Sequence, residues 1–397
     1  MVNISFDFAG TPKIIFENEG FEKLPELIAE YGERVLIITG GSFLRESGYF
    51  DKLVDTLSRY NVSTYDESVK EEPSPDLVDN IADKYRNKNI DIVAAVGGGS
   101  VMDTGKAVSA MLTTSDSVMK YLEGVGAGKE HSGEKIPMIA VPTTSGTGSE
   151  ATKNAVLSRV GEDGFKKSLR HDNFIPDIAL LDPELTVSCP SEITAASGLD
   201  AITQLLGAYV SSEASVLTDS LAFRALKIAG SSLIPVCTDE ADNLQLRANM
   251  AYASLISGVV LANAGLGIVH GLASPIGGFY DIPHGVVCGT VFGEAVNRTI
   301  NLLKDKKGDK FLEKYAQVGA HWAGKEDLYY QEKNIDKCCQ LLINTIEKWL
   351  NKLQIPRLSE YGIEKKDLDK IARNTGNKNN PVKLDKNEIK QLLKARL

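Results

Sequence analysis

The first half of the chain alternates short apolar runs with amphipathic segments. Five runs predict strands, most of them buried: Arg34–Thr39, Val62–Tyr65, Asp91–Val96, Ile136–Val141 and Ile178–Leu181. The segments between them carry helical periodicity, as over Pro73–Arg86. Two further runs, Ala155–Arg159 and Lys167–Arg170, flank glycines and predict a β-hairpin. Strands that alternate with helices predict a parallel sheet covered by helices.

The pattern changes near Cys189-Pro190-Ser191. Beyond this point strand-like runs are almost absent, and apolar positions repeat with helical spacing. The predicted helices are Glu192–Ser211, Thr218–Ile234, Asn243–Ala262, Gly267–Gly277, Lys310–Trp322, Asn334–Leu350 and Lys386–Ala395. We therefore predict an α/β domain with a parallel sheet over residues 1–190 and an all-α domain over residues 191–397.

Composition narrows the class of protein. A chain of 397 residues with 43% hydrophobic residues can bury two sizeable cores. The net charge of −9 argues against nucleic-acid binding, which needs a basic surface. We see no apolar run of membrane-spanning length and no export signal at the N-terminus, so we expect a cytoplasmic protein without a membrane partner. The sequence has five cysteines without a metal-binding spacing, and they are expected to be reduced: Cys189, Cys237, Cys288, Cys338 and Cys339.

Two glycine-rich turns follow two of the predicted strands. The first is Gly97-Gly98-Gly99-Ser100, and the second is Thr143–Ser149. Ligands of parallel sheets bind at the carboxyl ends of strands, where glycines let a phosphate approach the N–H groups that open the next helix. The hydroxyl groups that suit phosphate and ribose belong to Ser100, Thr143, Thr144, Thr147 and Ser149. These turns predict a dinucleotide site without the G-x-G-x-x-G motif; the alternative is a pair of solvated turns.

Two charged residues follow the first turn on its predicted helix. Asp103 lies one turn into the helix, and Lys106 lies one turn further. Solvated helix charges are the simplest interpretation. We favour a structural role for Asp103, which would bond a neighbouring loop, and a ligand contact from Lys106 is an equal alternative. Because it lies close to the first turn, Asp103 is also a candidate residue of the cofactor site.

Together these motifs resemble the iron-containing (group III) metal-dependent alcohol dehydrogenases. The matching residues follow family order: Gly97–Ser100 with Asp103 and Lys106, Pro142–Glu150, Pro176-Asp177, Asp182–Leu185, Gly198–Asp200, His270-Gly271 and Pro283–Gly285. The resemblance implies a dehydroquinate synthase-like architecture, with the active site in a cleft between a nucleotide-binding domain and a helical domain. It implies reversible hydride transfer between an alcohol and its aldehyde or ketone. It also implies a nicotinamide cofactor, a ribose contact from Lys166, and a homodimer or higher homo-oligomer.

The resemblance also implies a divalent metal site. The family uses an aspartate, a histidine four residues later and two further histidines; Asp200, His270 and His284 match three of these positions. Gln204 stands in the fourth, on the same helix face as Asp200. His270 lies in a helical stretch and His284 in a Pro-His-Gly loop. Three strong ligands suffice for catalytic zinc or ferrous iron, with Gln204 as a weak fourth. The alternative is that both histidines bind substrate without a metal.

Two departures from the family pattern bear on specificity. Many members carry a proton-relaying histidine four residues after His270, where this chain has Ser274. Many NAD-preferring members have an aspartate after the strand that ends at Thr39, where this chain has Gly40-Gly41-Ser42, with Arg45 nearby. No carboxylate repels a 2′-phosphate there, so we slightly favour NADP over NAD. The alternative is a turn that takes either cofactor.

Other functions remain as alternatives at this point. Within the same architecture, the chain resembles the metal-poor maleylacetate reductases and the sugar-acid 3-deoxy-octulosonate 8-oxidases. A lyase similar to dehydroquinate synthase would need a cluster of basic groups, and the region from Gly198 to His284 offers only Arg224, Lys227 and Arg247 besides its two histidines. A non-catalytic nucleotide-binding protein is the remaining class. Metal analysis and an aldehyde substrate panel with NADH and NADPH separate these functions.

Overall fold

The computed structural model describes residues 5–397, which form two compact units. The α/β unit consists of Ala9–Arg159 and Gly164–Cys189. The helical unit consists of Pro190–Leu397 together with the short segment Val160–Asp163 and the described residues up to Phe8. Each unit has its own hydrophobic core, because the buried apolar residues separate into clusters that belong to one unit or the other.

The α/β unit is built on a six-stranded sheet in which every pair of neighbouring strands is parallel. Its strands are β1 Lys13–Phe16, β2 Arg34–Gly40, β3 Ser63–Val69, β4 Ile92–Gly97, β5 Met138–Pro142 and β8 Ile178–Leu181, in the spatial order β1-β8-β5-β4-β2-β3. The predicted hairpin is present as β6 Asn154–Arg159 and β7 Phe165–Arg170, which pair antiparallel. The predicted parallel α/β class is therefore confirmed.

The central strands are buried on both faces. Successive residues of β4 alternate between two cores: Ile92, Ala94 and Val96 pack on one face, and Val93 and Ala95 pack on the other. A strand covered on both sides needs apolar residues at every position, which explains its continuous apolar run. The helices of this unit are α1 Leu24–Ala29, α2 Phe43–Glu46, α3 Tyr49–Arg59, α4 Pro75–Tyr85 and α5 Gly99–Met111.

The helical unit contains ten α-helices among the described residues, and no strand is assigned there. They are α6 Ser191–Tyr209, α7 Val216–Cys237, α8 Leu244–Ala264, α9 Ile268–Phe279, α10 His284–Asp305, α11 Asp309–Trp322, α12 Glu326–Tyr330, α13 Ile335–Lys352, α14 Leu368–Asn374 and α15 Lys386–Ala395. Helix α6 is central, because it packs against α7, α8 and α10. The sequence predicts most of these helices but misses α10, which supplies two residues of the site below.

One described helix, α7, is long and apolar enough to cross a membrane by length and composition alone. Helices α8 and α9 meet the same criterion only when they are counted together, and this pair is bent by 99°. The sequence shows no uninterrupted run there because Asp219, Arg224 and Lys227 lie within α7. The carboxylate of Asp219 pairs with Lys314 at 2.7 Å. One face of α7 contributes buried side chains to the core of the helical unit, as expected for a core helix.

Candidate functional site

The predicted metal ligands come from three helices and meet at one point. Asp200 lies in the middle of α6, His270 in the first turn of α9, and His284 at the first position of α10. Nε2 of His270 lies 3.1 Å from Oδ1 of Asp200, and Nε2 of His284 lies 3.7 Å from the same oxygen. Gln204 is buried one turn after Asp200 on α6. The structure thus brings the carboxylate and both imidazoles together.

A fourth donor that the sequence does not predict lies among them. Sγ of Cys288 is 3.7 Å from Nε2 of His270 and 3.7 Å from Nε2 of His284. The donor atoms of Asp200, His270, His284 and Cys288 all lie within 4.8 Å of one another. The spacing of four residues between His284 and Cys288 is the signal that could have identified it, because such residues share one face of a helix.

The predicted loop around His284 is wrong. Pro283 occupies the N-cap position and His284 is the first residue of the 22-residue helix α10. Glycines at positions 285, 289 and 293 weaken helix propensity and hide the pattern. Their role is close packing: a Cβ atom on Gly285 would lie 2.4 Å from the carbonyl oxygen of Ala196 on α6. The glycine therefore lets the start of α10 approach α6, which places His284 beside Asp200.

The two histidines of this cluster hold the neighbouring carboxylate of Asp200 in its ionised form. Burial by itself would raise the pKa of Asp200, but the neighbouring imidazoles of His284 and His270 outweigh it and lower the pKa to about 2. The carboxylate is therefore ionised at neutral pH. Carboxylate, imidazole and thiolate are the donor types that bind zinc and ferrous iron. The residues present thus fit a divalent transition metal.

The two glycine-rich turns lie side by side at the carboxyl edge of the sheet. Strands β4 and β5 are neighbours with Gly97 opposite Pro142, and the N–H of Thr143 donates to the carbonyl of Gly97 at 2.9 Å. A Cβ atom on Gly99 would lie 2.6 Å from Cγ2 of Thr147, so the glycine permits contact between the turns. The prediction that both turns occupy one edge is confirmed.

The first glycine-rich turn leads into α5, and the second turn packs against it. Gly98 holds the N-cap position of α5, Ser100 lies within the helix, and no side chain caps it. The opening N–H groups of α5 therefore have no capping side chain to compete with an anion. A Cβ atom on Gly98 would lie 3.3 Å from Oγ1 of Thr144, which places this threonine against the first turn.

The buried residues Ser149 and Lys106 form a network with the partly buried Asp103. The hydroxyl of Ser149 donates to Asp103, which also accepts a hydrogen bond of 3.0 Å from the N–H of Val156. Nζ of Lys106 lies 3.1 Å from Oδ1 of Asp103 and donates to the carbonyl of Ser149 at 3.0 Å and to Oγ1 of Thr152 at 2.8 Å. Asp103 thus bonds the second turn and β6, and Lys106 binds protein acceptors.

The remaining cofactor candidates lie at or near the edge of the same unit. Gly40 ends β2, the neighbour of β4, and a Cβ atom on it would lie 3.2 Å from Cγ2 of Val101. Ser42 immediately precedes α2, and Arg45 on α2 pairs with Asp66. Lys166 lies on β7, where its ammonium group pairs with the carboxylate of Glu72.

Comparison with known proteins identifies the family. The family description "Iron-containing alcohol dehydrogenase" matches residues 11–183, and "Fe-containing alcohol dehydrogenase family, C-terminal" matches residues 194–397. The chain therefore belongs to the iron-containing alcohol dehydrogenase family, as its motifs predict. Alcohol dehydrogenase 4 of Saccharomyces cerevisiae is 31% identical over 395 residues, which cover 96% of each chain.

Solved structures agree with this assignment. A 1,3-propanediol oxidoreductase superposes with a TM-score of 0.87 at 28% identity, covering 99% of this chain and 100% of the other. Sulfoacetaldehyde reductase from Bifidobacterium kashiwanohense, solved in complex with NAD+, gives a TM-score of 0.81 at 26% identity, covering 99% of each chain. The predicted dehydroquinate synthase-like architecture is confirmed.

Membership in the family defines the chemistry. The chain is an oxidoreductase that interconverts alcohols and carbonyl compounds with NAD(H), and the family uses iron or another divalent metal. The predicted activity, cofactor class and metal are thus confirmed. The comparisons do not favour the maleylacetate reductase or sugar-acid oxidase alternatives.

Proposed function

We propose that Asp200, His270 and His284 hold the divalent metal of this alcohol dehydrogenase. The convergence of their donor atoms supports the proposal, because three side chains on three helices place these atoms within 4.8 Å of one another. The metal, when bound, supplies a Lewis acid for the oxygen of the substrate. Asp200 contributes a carboxylate that is ionised at neutral pH. Because Asp200 and His270 are buried, they exclude water from that side of the site.

We propose further that residues 1–190 form the nucleotide-binding domain and residues 191–397 the metal and substrate domain. The nicotinamide cofactor supplies the hydride chemistry. Gly97, Gly98 and Gly99 permit the close packing of this turn, and the uncapped start of α5 presents N–H donors to the pyrophosphate. Thr143, Thr144 and Thr147 lie in the adjacent turn and offer hydroxyl groups to the cofactor. Ser100 and Ser149 offer further polar contacts.

The experiment that tests the metal assignment is the substitution His284→Ala. Removal of one ligand should lower metal content sharply and reduce kcat by about 100-fold or more, since ligand losses exceed the 10- to 100-fold effects of outer-shell partners. The matched control is His321→Ala on α11, whose imidazole pairs with Glu326. Wild-type metal content and turnover in His284→Ala would refute the assignment.

We propose that the turn after β2 accepts NADP(H) as well as NAD(H). Gly40 and Gly41 carry no carboxylate to repel a 2′-phosphate, and space around Gly41 is open. Lys166 is proposed to leave its ion pair with Glu72 and to contact the ribose of the cofactor. The substitution Gly41→Asp should raise the ratio of kcat/KM for NADH over NADPH by about tenfold or more through charge repulsion. An unchanged ratio contradicts this proposal.

We propose that the protein is a homodimer that pairs through β1. This strand is at the edge of the sheet, and it exposes two apolar side chains, Ile14 at 40% and Phe16 at 37%. Exposed apolar edge strands favour strand pairing between chains. The double substitution Ile14→Lys with Phe16→Lys should yield monomers in sedimentation analysis, whereas Val160→Lys, at another exposed apolar residue, should not. Equal masses for both variants refute the pairing.

We propose a cytoplasmic location. All five cysteines lie outside disulfides, as is usual in a reducing compartment. Fractionation of cells that produce the tagged protein should place it in the cytoplasmic fraction, and recovery from the membrane or the exported fraction contradicts the proposal.

A further inference from the structure

We propose that the thiolate of Cys288 is a direct ligand of the metal, in the position that the family's missing histidine leaves open. The inference rests on the proposed metal site and specifies its donor set as Asp200, His270, His284 and Cys288. Gln204 then remains outside the coordination sphere. The consequence is a site with one soft sulfur donor, which favours zinc over harder oxygen-seeking cations.

The position of Cys288 supports direct ligation. It lies one turn after His284 on α10, is fully buried, and therefore shares the helix face that already presents one ligand. Its sulfur is equally close, at 3.7 Å, to Nε2 of His270 and to Nε2 of His284. The same ring nitrogens approach Asp200, so a single point faces all four donors.

The separations match a tetrahedral donor set. With metal bonds of about 2.0–2.3 Å and tetrahedral angles, sulfur and nitrogen ligands are about 3.6 Å apart, and oxygen and nitrogen ligands are about 3.4 Å apart. The sulfur–nitrogen distances here are both 3.7 Å, and the oxygen–nitrogen distances are 3.1 and 3.7 Å. These four separations lie within a few tenths of an ångström of the tetrahedral values, and all four donor atoms lie within 4.8 Å of one another.

The balance of charge at the site favours Cys288 over Gln204 as the fourth ligand. A divalent cation with the carboxylate of Asp200 and a thiolate is neutral overall, whereas with a neutral amide it retains one positive charge. Uncompensated charge is costly in a buried site, and Asp200, His270 and Cys288 are all buried. An amide oxygen is also a weaker donor for zinc than a thiolate, which loses its proton on coordination.

The experiment uses the full-length protein loaded with Co(II), whose bonds to sulfur absorb in the near ultraviolet. The wild-type protein should show this sulfur-to-cobalt band. Cys288→Ser should lose the band and bind Zn²⁺ more than about 100-fold more weakly in a chelator competition, since the loss of a ligand exceeds the effect of an outer-shell partner. The matched control Cys237→Ser, at another buried cysteine on α7, should keep both properties, and so should Gln204→Ala.

Each result decides between the hypotheses. A wild-type Co(II) protein at full stoichiometry without the band overturns ligation by Cys288, and this measurement needs no variant to fold. Loss of affinity in Gln204→Ala with none in Cys288→Ser also overturns it. Neither result affects the proposed metal site, which fails only if His284→Ala retains metal at the wild-type level.

Discussion

The substitution Glu150→Gln should stabilise the protein at alkaline pH. Glu150 is 1% exposed, and neither carboxylate oxygen has a hydrogen-bond partner within residues 5–397. Burial raises its pKa from the ordinary value of 4.5 to about 7, while the charge of Lys106 acts in the opposite direction. Lys106 already pairs with Asp103, so two carboxylates share one buried ammonium group.

The magnitude follows from proton linkage. Between about pH 4.5 and pH 7 the folded protein retains the proton of Glu150 that the unfolded chain has released. Wild-type stability therefore falls as the pH rises through this window, and above it the full loss is present. A pKa raised from 4.5 to about 7 corresponds to about 3 kcal/mol. The glutamine variant lacks this titration, so its advantage should grow from near zero to about 3 kcal/mol.

Thermal unfolding of both proteins across this pH range measures the effect. The midpoint of Glu150→Gln should exceed that of the wild type by about 4 °C at about pH 8 where the whole chain unfolds in one transition, and by about 6–12 °C where the α/β unit unfolds by itself; the two proteins should converge near about pH 4.5. Glu46→Gln, at an exposed glutamate on α2, is the control and should show no such divergence. A midpoint difference that is independent of pH, or lower stability at alkaline pH, refutes the reasoning.

Three further substitutions test packing and charge. Lys106→Met leaves the buried Glu150 and the partly buried Asp103 without a cation and should cost about 3–5 kcal/mol in denaturant unfolding, and adding Asp103→Asn should recover part of the loss. Gly285→Ala should push α10 away from α6, lowering stability by about 1–3 kcal/mol and weakening Zn²⁺ binding in chelator competition. Gly99→Ala should push the two glycine-rich turns apart and raise the Kd for NADH about tenfold in fluorescence titration. The open position Gly10→Ala should change neither affinity, and equal effects from all three glycine variants contradict the packing argument.

Most of the α/β unit can be predicted from the order of its residues alone. Buried parallel strands require apolar residues at every position, so runs such as Ile178–Leu181 are visible without any tertiary information. The glycine-rich turns could be placed at one edge of the sheet because the carboxyl ends of parallel strands lie together. The resemblance to a family supplied Asp200, His270 and His284, which spacing alone does not bring together.

The helical unit and its site cannot be predicted in the same way, because they depend on which helices pack against one another. Helix α10 was missed because its glycines resemble breakers in a linear pattern, although packing against α6 requires them. Cys288 became a candidate ligand only when α9 and α10 brought its sulfur beside two imidazoles. The perturbed pKa of Glu150 also arises from burial, which is a property of the folded protein and has no signature in the local sequence.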